Sequence, residues 1–568
     1  MGLASFPSVT GNLALPFAHV SKDKAWLATG GPLQFRKRLV MLEIEPKYIQ
    51  NNSRRHPSMR LVVTHKIFAA CWPALFLSLL LLGMQVPRAM AQANVQGQWS
   101  TLPNLAPINP IHAALLPNGK VLIVAGSGNC PPSQSGCPAG APYGPSNGSG
   151  AALFNPVMDS FIQISLPWDS FCSGMVLLPD GTALTVGGTL QYDNPFQGQN
   201  KTSIFNPKTN TFTDVQNMAH GRWYPTVTTL GDGRAMTFSG LDENGGLNNA
   251  VEIYDVGSGW SPPQVANWGP PLYPRMHLLP NGKVFYSGKA GTSSALFDPS
   301  TSTWALEVAA TNYPNPRWYG ASVLLPLTPA NHYDPKVMIM GGNSPATAAT
   351  EIIDLNAPSP TWQYGPSMSQ PRIEMNAVIL PDGKVLAMGG STNDESVASA
   401  SLNADLYDPA TNVFSSAGAN AFARLYHSLA LLLPDATVWL AGGNPYRGTY
   451  EQHMEIYKPA YLFRPDGTAA IRPSIISAPR QISWGKQFTV LTLDAANIAS
   501  VVLVRNGAVT HSFDMDQRLV GMSIAANLLV GLIVTAPPNG NIAPPGYYML
   551  FLVNKSGVPS VANFVRLD

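Results

Sequence analysis

From about residue 105 to 460 the chain repeats itself: an apolar strand, a tight turn of the type Pro-Asp/Asn-Gly-Lys, a second strand ending in Gly-Gly, then a strand ending near Asp/Asn-Pro. The turns fall at Pro117–Lys120, Pro179–Thr182, Gly231–Arg234, Pro280–Lys283, near Asp334–Lys336, Pro381–Lys384 and Pro434–Thr437. Asn-Gly and Asp-Gly supply the positive φ angles that such hairpins need. Seven copies at a period near fifty residues leave no room for long helices, and 50 Gly, 52 Pro and a charged fraction of 12% agree with many short strands and turns.

The paired glycines Gly187-Gly188, Gly341-Gly342, Gly389-Gly390 and Gly442-Gly443 follow the second strand, where crowding at a central axis favours residues without a side chain. One four-stranded unit cannot bury both faces of its sheet, whereas seven arranged radially can. The predicted fold class is therefore all-β, a seven-bladed β-propeller of the kelch type over residues 94–472. After Arg472 the repeat stops, and strands such as Phe488–Leu493, Val501–Val504 and Tyr547–Val553 predict a separate immunoglobulin-like β-sandwich over 473–568.

The first 93 residues differ in composition. They hold 11 of the 34 Lys/Arg and 3 of the 32 Asp/Glu, leaving 23 basic and 29 acidic residues and a net charge of −6 for the rest. A mildly acidic body without a basic run excludes nucleic acid as a partner, because phosphate binding needs clustered Lys and Arg. Arg60 and Lys66 precede an apolar run from about Ile67 to Val86, followed by Ala89-Met90-Ala91. This reads as a signal peptide over 59–93, with an uncleaved membrane anchor as the alternative. Residues 1–58 show no periodic element and read as a mis-assigned or disordered extension. Either reading of 59–93 exports the body, to be secreted, periplasmic or held at the cell surface.

Of four cysteines, Cys71 lies in the leader, and Cys130 and Cys137 are spaced to close a small disulfide loop. Cys172 is left without a partner, and an odd cysteine in an exported protein needs an explanation. Cys172, Tyr224 and His427 each stand seven residues before the first residue of their repeat's turn, in repeats two, three and seven. Equal offsets on equivalent strands occupy equivalent radial positions, so the three converge at one end of the axis with Tyr426 beside His427. Singly, each residue reads as structural: a strand tyrosine, a satisfied histidine, a small buried hydrophobe. Together, two phenols, an imidazole and a sulfur form a mixed set that suits tetragonal copper better than zinc.

Phe171-Cys172-Ser173-Gly174, Arg222-Trp223-Tyr224-Pro225-Thr226, Arg424-Leu425-Tyr426-His427-Ser428 and Thr510-His511 followed by Asp516-Gln517-Arg518 resemble the copper-radical oxidases, galactose oxidase and, more closely, glyoxal oxidase. The resemblance spans roughly residues 105–568 and includes an early-set immunoglobulin-like module that would return His511 to the propeller axis. It implies one copper ion held by Tyr224, Tyr426, His427 and His511, with Tyr426 as axial ligand and general base. It also implies a thioether between Cys172 and Tyr224 that serves as a radical cofactor. The implied reaction oxidises a small aldehyde, as its hydrate, or a primary alcohol, including one on a glycan, with dioxygen reduced to hydrogen peroxide.

The departures matter as well. Galactose oxidase covers its thioether with a tryptophan from the loop after the radical-bearing strand, and the corresponding loop here, Leu241–Asn249, has none. Trp223 adjoins Tyr224, but strand alternation predicts that it faces away. No carbohydrate-binding domain fits between Ala93 and the first repeat, which favours glyoxal-oxidase-like or bacterial glycan-modifying relatives. Arg275 is a candidate substrate contact, with an ion pair between blades as the bland reading. His112, His220 and His277 sit outside the matched register and read as structural. The alternative for the whole chain is a propeller without chemistry that binds glycans or partner proteins.

Overall fold

The computed structural model describes residues 92–127, 150–192, 194–288, 293–445 and 449–568. The extension, the export segment as far as residue 91, and the Cys71, Cys130 and Cys137 positions lie outside these. The repeat folds as expected. Seven antiparallel sheets follow one another along the chain, the first built from His112–Leu115, Val121–Val124, Ala151–Asn155 and Ser160–Ile164. The seventh, from Leu429–Leu432, Val438–Ala441 and Glu455–Lys458, takes its outer strand from Gln98–Thr101, with Gln98 opposite Lys458 and Thr101 opposite Glu455. The first strand of the described chain thus completes the last blade and ties the two ends of the ring together.

Innermost strands such as His112–Leu115, Gly174–Leu177 and Thr226–Thr229 are buried at every position, because both faces pack against neighbouring blades. An arginine crosslinks blades three, five, six and seven internally. Arg222 pairs with Glu252 at 2.7 Å, Arg317 with Glu351 at 2.7 Å, Arg372 with Asp405 at 2.8 Å and Arg424 with Glu455 at 2.7 Å. Each guanidinium also donates to a carbonyl at the end of the second strand: Ser239, Gly341, Gly389 or Gly442. The glycines that mark the repeat let this backbone come close; a Cβ on Gly187 would lie 2.2 Å from the Arg222 carbonyl oxygen.

Repeat five departs from the expected tight turn. Its inner strand, Ala321–Leu324, is joined to Lys336–Met340 by residues 325–335, which contain the short 3-10 turn Pro329–Asn331. The extra residues dock the C-terminal domain: the Leu327 amide donates to the Leu519 carbonyl at 3.0 Å, and the Gly521 amide to the Leu327 carbonyl at 2.8 Å. In that domain Ile498–Arg505 lies between Gly546–Asn554 and Leu519–Leu528. From Ser523 on, Leu519–Leu528 pairs with Gly531–Thr535, with a register shift between Ile524 and Ala526.

A hairpin then leaves the sandwich. Ala508–Thr510 pairs with the inner strand of blade one, His112 opposite Thr510, and turns back through Phe513–Asp514. The segment after it is pinned to several blades. Asp516 accepts from the Leu177 amide at 2.6 Å, the Thr229 hydroxyl at 2.8 Å and Arg505 at 3.2 Å. Gln517 exchanges hydrogen bonds with Ile379 and Ala377, and Arg518 donates to the Leu278 carbonyl. His511 stands at the hairpin's tip, on the axis.

Candidate metal centre

Inner strands begin two residues after Cys172, Tyr224, Tyr319, Glu374 and His427 and three after Tyr273, and at each of these six the backbone turns left-handed: φ is 59° at Cys172, 68° at Tyr224, 47° at Tyr273, 53° at Tyr319, 63° at Glu374 and 66° at His427. Amides link successive blades through this ring, Tyr224 to the Cys172 carbonyl, Tyr273 to that of Tyr224, and Glu374 to that of Tyr319, each at 2.9 Å. Left-handed φ costs a side-chain-bearing residue about 1–3 kcal/mol and clusters where function demands it. Here it turns one side chain toward the axis in each of blades two to seven.

At the centre the phenolic oxygens of Tyr224 and Tyr426 are 2.5 Å apart. Ligand atoms of Cys172, His427 and His511 all lie within 4.8 Å of one another, with Cys172 Sγ 3.8 Å from His511 Nε2. The His511 ring packs against Tyr224 at 4.9 Å, Tyr426 at 5.2 Å and His427 at 4.6 Å between centroids. Cys172, His427 and His511 are buried, and Tyr426 is half-buried.

Both imidazoles present Nε2 to this point. His427 Nδ1 is 2.6 Å from the side-chain oxygen Oδ1 of Asn444, so it carries the proton. Its Nε2 is buried without a partner. Thr510 donates to the Ile111 carbonyl at 2.9 Å, which leaves its oxygen to accept from His511 Nδ1 at 2.5 Å. An oxygen that accepts from Nδ1 is how metal-binding histidines are held. Burial lowers the His427 pKa to about 3 and keeps the ring neutral, while burial and then the neighbouring Cys172, Tyr319 and Tyr192 push the Tyr224 phenol well above its ordinary range. An orphaned buried nitrogen, a second imidazole, two phenols and a sulfur make a donor set that fits copper.

Residues 148–461 match the family model of the glyoxal oxidase N-terminus, and residues 472–567 that of the galactose oxidase-like early set domain. The chain belongs to the copper-radical oxidase family. Its relatives include aldehyde oxidase GLOX of Vitis pseudoreticulata, 30% identical over 84% of this chain and 98% of the relative, and galactose oxidase of Gibberella zeae, 28% identical over 83% and 70%. Among solved structures, a fungal alcohol oxidase of the AA5 family in complex with copper is 25% identical with a TM-score of 0.71, over 83% of this chain and 99% of the other. The chain is accordingly an oxidoreductase whose cofactor is copper.

As a copper-radical oxidase it differs from the sequence reading in two places, Trp223 and Arg275. Trp223 does not face away from Tyr224: the left-handed turn at Tyr224 breaks strand alternation, and the Trp223 ring meets the Tyr224 ring edge-on at 4.2 Å while stacking on Phe196 at 4.9 Å. Arg275 is 1% exposed, with Nη2 on the carbonyls of His511 at 2.7 Å and Gly320 at 3.2 Å, and no carboxylate pairs with it among the described residues. It braces the hairpin from below. His112, read as structural, is fully buried 5.9 Å from the His511 ring. His277 hydrogen-bonds to Ser322, and His220 pairs with Glu243 away from the axis.

Three ring residues escaped the sequence reading. Tyr273 and Glu374 also stand seven residues before their turns, at Pro280 and Pro381, so the same offset would have found them. Tyr319 was hidden because the docking loop of repeat five replaces the turn that serves as the ruler. Tyr273 packs on His511 at 4.5 Å and donates to the Ser173 carbonyl at 2.7 Å.

Proposed function

We propose that this protein is an exported oxidase that converts a hydrated aldehyde or a primary alcohol, including one carried on a glycan, with dioxygen reduced to hydrogen peroxide. Tyr224, Tyr426, His427 and His511 would hold copper, and Cys172 would be joined to Tyr224. The observation that carries this reading is the meeting of five groups from four stretches of chain: two imidazole Nε2 atoms, two phenolic oxygens 2.5 Å apart and the Cys172 sulfur. Export rests on the leader over 59–93.

Joining Cys172 to Tyr224 breaks an S–H and a ring C–H bond and forms a C–S bond, the two electrons and two protons leaving with dioxygen as hydrogen peroxide. Sulfur on the ring donates electron density and makes Tyr224 easier to oxidise. Copper, when bound, supplies the Lewis acidity that lowers the pKa of a substrate hydroxyl and the second one-electron acceptor. Tyr426, half-buried, takes the hydroxyl proton as general base. The oxidised Tyr224 oxygen then receives a hydrogen atom from the adjacent carbon. Burial keeps the His427 ring neutral and shields both imidazoles from water. Dioxygen collects the two electrons and two protons and leaves as peroxide, so the cycle balances.

Copper-loaded protein supplied with small aldehydes and primary alcohols in air is expected to release peroxide in step with substrate loss. A Cys172→Ser variant should retain copper and lose at least about a hundredfold in rate. Full activity in that variant, or no peroxide from any member of either class, would overturn the reading.

A further inference from the structure

Of the six residues that the propeller turns toward the axis, two have no part in the copper set or in packing His511: Tyr319 of blade five and Glu374 of blade six. The Tyr319 ring lies edge-on to Tyr426 at 5.2 Å, and the Glu374 amide is bonded to the Tyr319 carbonyl. Glu374 is 2% exposed, and no cation pairs with it among the described residues. Its Oε2 accepts weakly from the Glu395 amide at 3.4 Å, in the loop that follows Ser391 and folds back through the Ile373–Ser391 bridge. Asp394 of the same loop is exposed and close enough to the Glu374 carboxyl to raise its pKa. A line of acid therefore runs from the surface to the phenol beside Tyr426.

We infer that Asp394 and Glu374 form a negatively charged wall at the substrate entrance, and that this wall makes the enzyme discriminate against molecules carrying a carboxylate. The inference rests on the oxidase reading above. Burial and then the neighbouring Asp394 raise the Glu374 pKa, and the carboxyl at the solvent-exposed end of the pair is that of Asp394. Arg275 is the opposing charge, but it lies beneath the ring and is engaged with two backbone carbonyls. Oxidation of a hydrated aldehyde yields a carboxylic acid that ionises at neutral pH. The same wall that turns away an anionic substrate would hasten departure of an anionic product.

Two neutral-pH comparisons test this on the copper-loaded enzyme. The first is kcat/KM for glyoxylate, an anionic aldehyde, against methylglyoxal, a neutral one, at low and high ionic strength. The second is azide affinity, titrated through the copper absorption spectrum and independent of turnover. The wild type is expected to favour methylglyoxal, with the preference shrinking as salt rises. Asp394→Asn, at an exposed position that cannot upset the core, should raise glyoxylate relative to methylglyoxal about tenfold and tighten azide by a similar factor. Glu374→Gln combined with Asp394→Asn should raise both further. If both aldehydes are oxidised and neither salt nor Asp394→Asn moves the ratio or the azide affinity, the wall is refuted while the oxidase stands. A wild type that prefers glyoxylate would assign control to Arg275 and overturn the inference. If neither aldehyde yields peroxide and azide still reports the charge, the oxidase reading fails instead.

Discussion

The single hydroxyl of Thr510 fixes both the tautomer and the tilt of His511, since it donates to the Ile111 carbonyl and accepts from Nδ1. Thr510→Val keeps the shape and removes both bonds, so copper affinity is expected to fall about 10–100-fold with little change in melting temperature. Competition with a chelator measures it. Proton linkage supplies a second expectation. Because burial lowers the His427 pKa from 6.5 to about 3, that ring binds no proton between pH 7 and 5, whereas Tyr224 and Tyr426, their pKa values raised, must each release one to bind metal. Copper affinity should therefore rise about a hundredfold per pH unit across this range, a slope of two protons. A slope of three below pH 6.5 would show His427 titrating. At this scale much was legible: the seven-residue offset located Cys172, Tyr224 and His427 because the turn is a fixed ruler along an inner strand. The left-handed backbone was not legible, since nothing in Trp223-Tyr224 announces it, and hence Trp223 was assigned to the wrong face.

Blades were readable because six of the seven carry their own tight turn, with the Gly-Gly signature in most of them. The buried arginine of a blade and its acid are about thirty residues apart, on elements whose contact only the folded sheet reveals. Arg372 and Asp405 are a test: Arg372→Met leaves Asp405 buried and uncompensated, and the expected loss is about 3–5 kcal/mol in chemical denaturation. Replacing both with apolar residues should recover most of it, because the burial cost of the charges disappears with them. Failure of the double variant to recover would show that the Arg372 bond to the Gly389 carbonyl, rather than the ion pair, holds the blade.

At the scale of the molecule, two long-range pairings decide the architecture, and periodicity signals neither. Gln98–Thr101 closes blade seven, and Ala508–Thr510 joins blade one. The return of His511 to the axis was implied by family resemblance alone; local pattern shows only a short strand followed by a turn. Asp516 ties that hairpin to the inner strands of blades two and three, so Asp516→Asn is expected to weaken copper binding from a distance. Circular dichroism would confirm an intact β fold in that variant.

The central claim is that Cys172 and Tyr224 meet at a copper site and become one side chain there. Intact-mass measurement before and after aerobic copper loading, followed by peptide mapping, tests it most directly. The account requires the loaded protein to be lighter by two hydrogen atoms and the Cys172 and Tyr224 peptides to travel as one. An unchanged mass, with the Cys172 thiol still open to alkylation after denaturation, would contradict it.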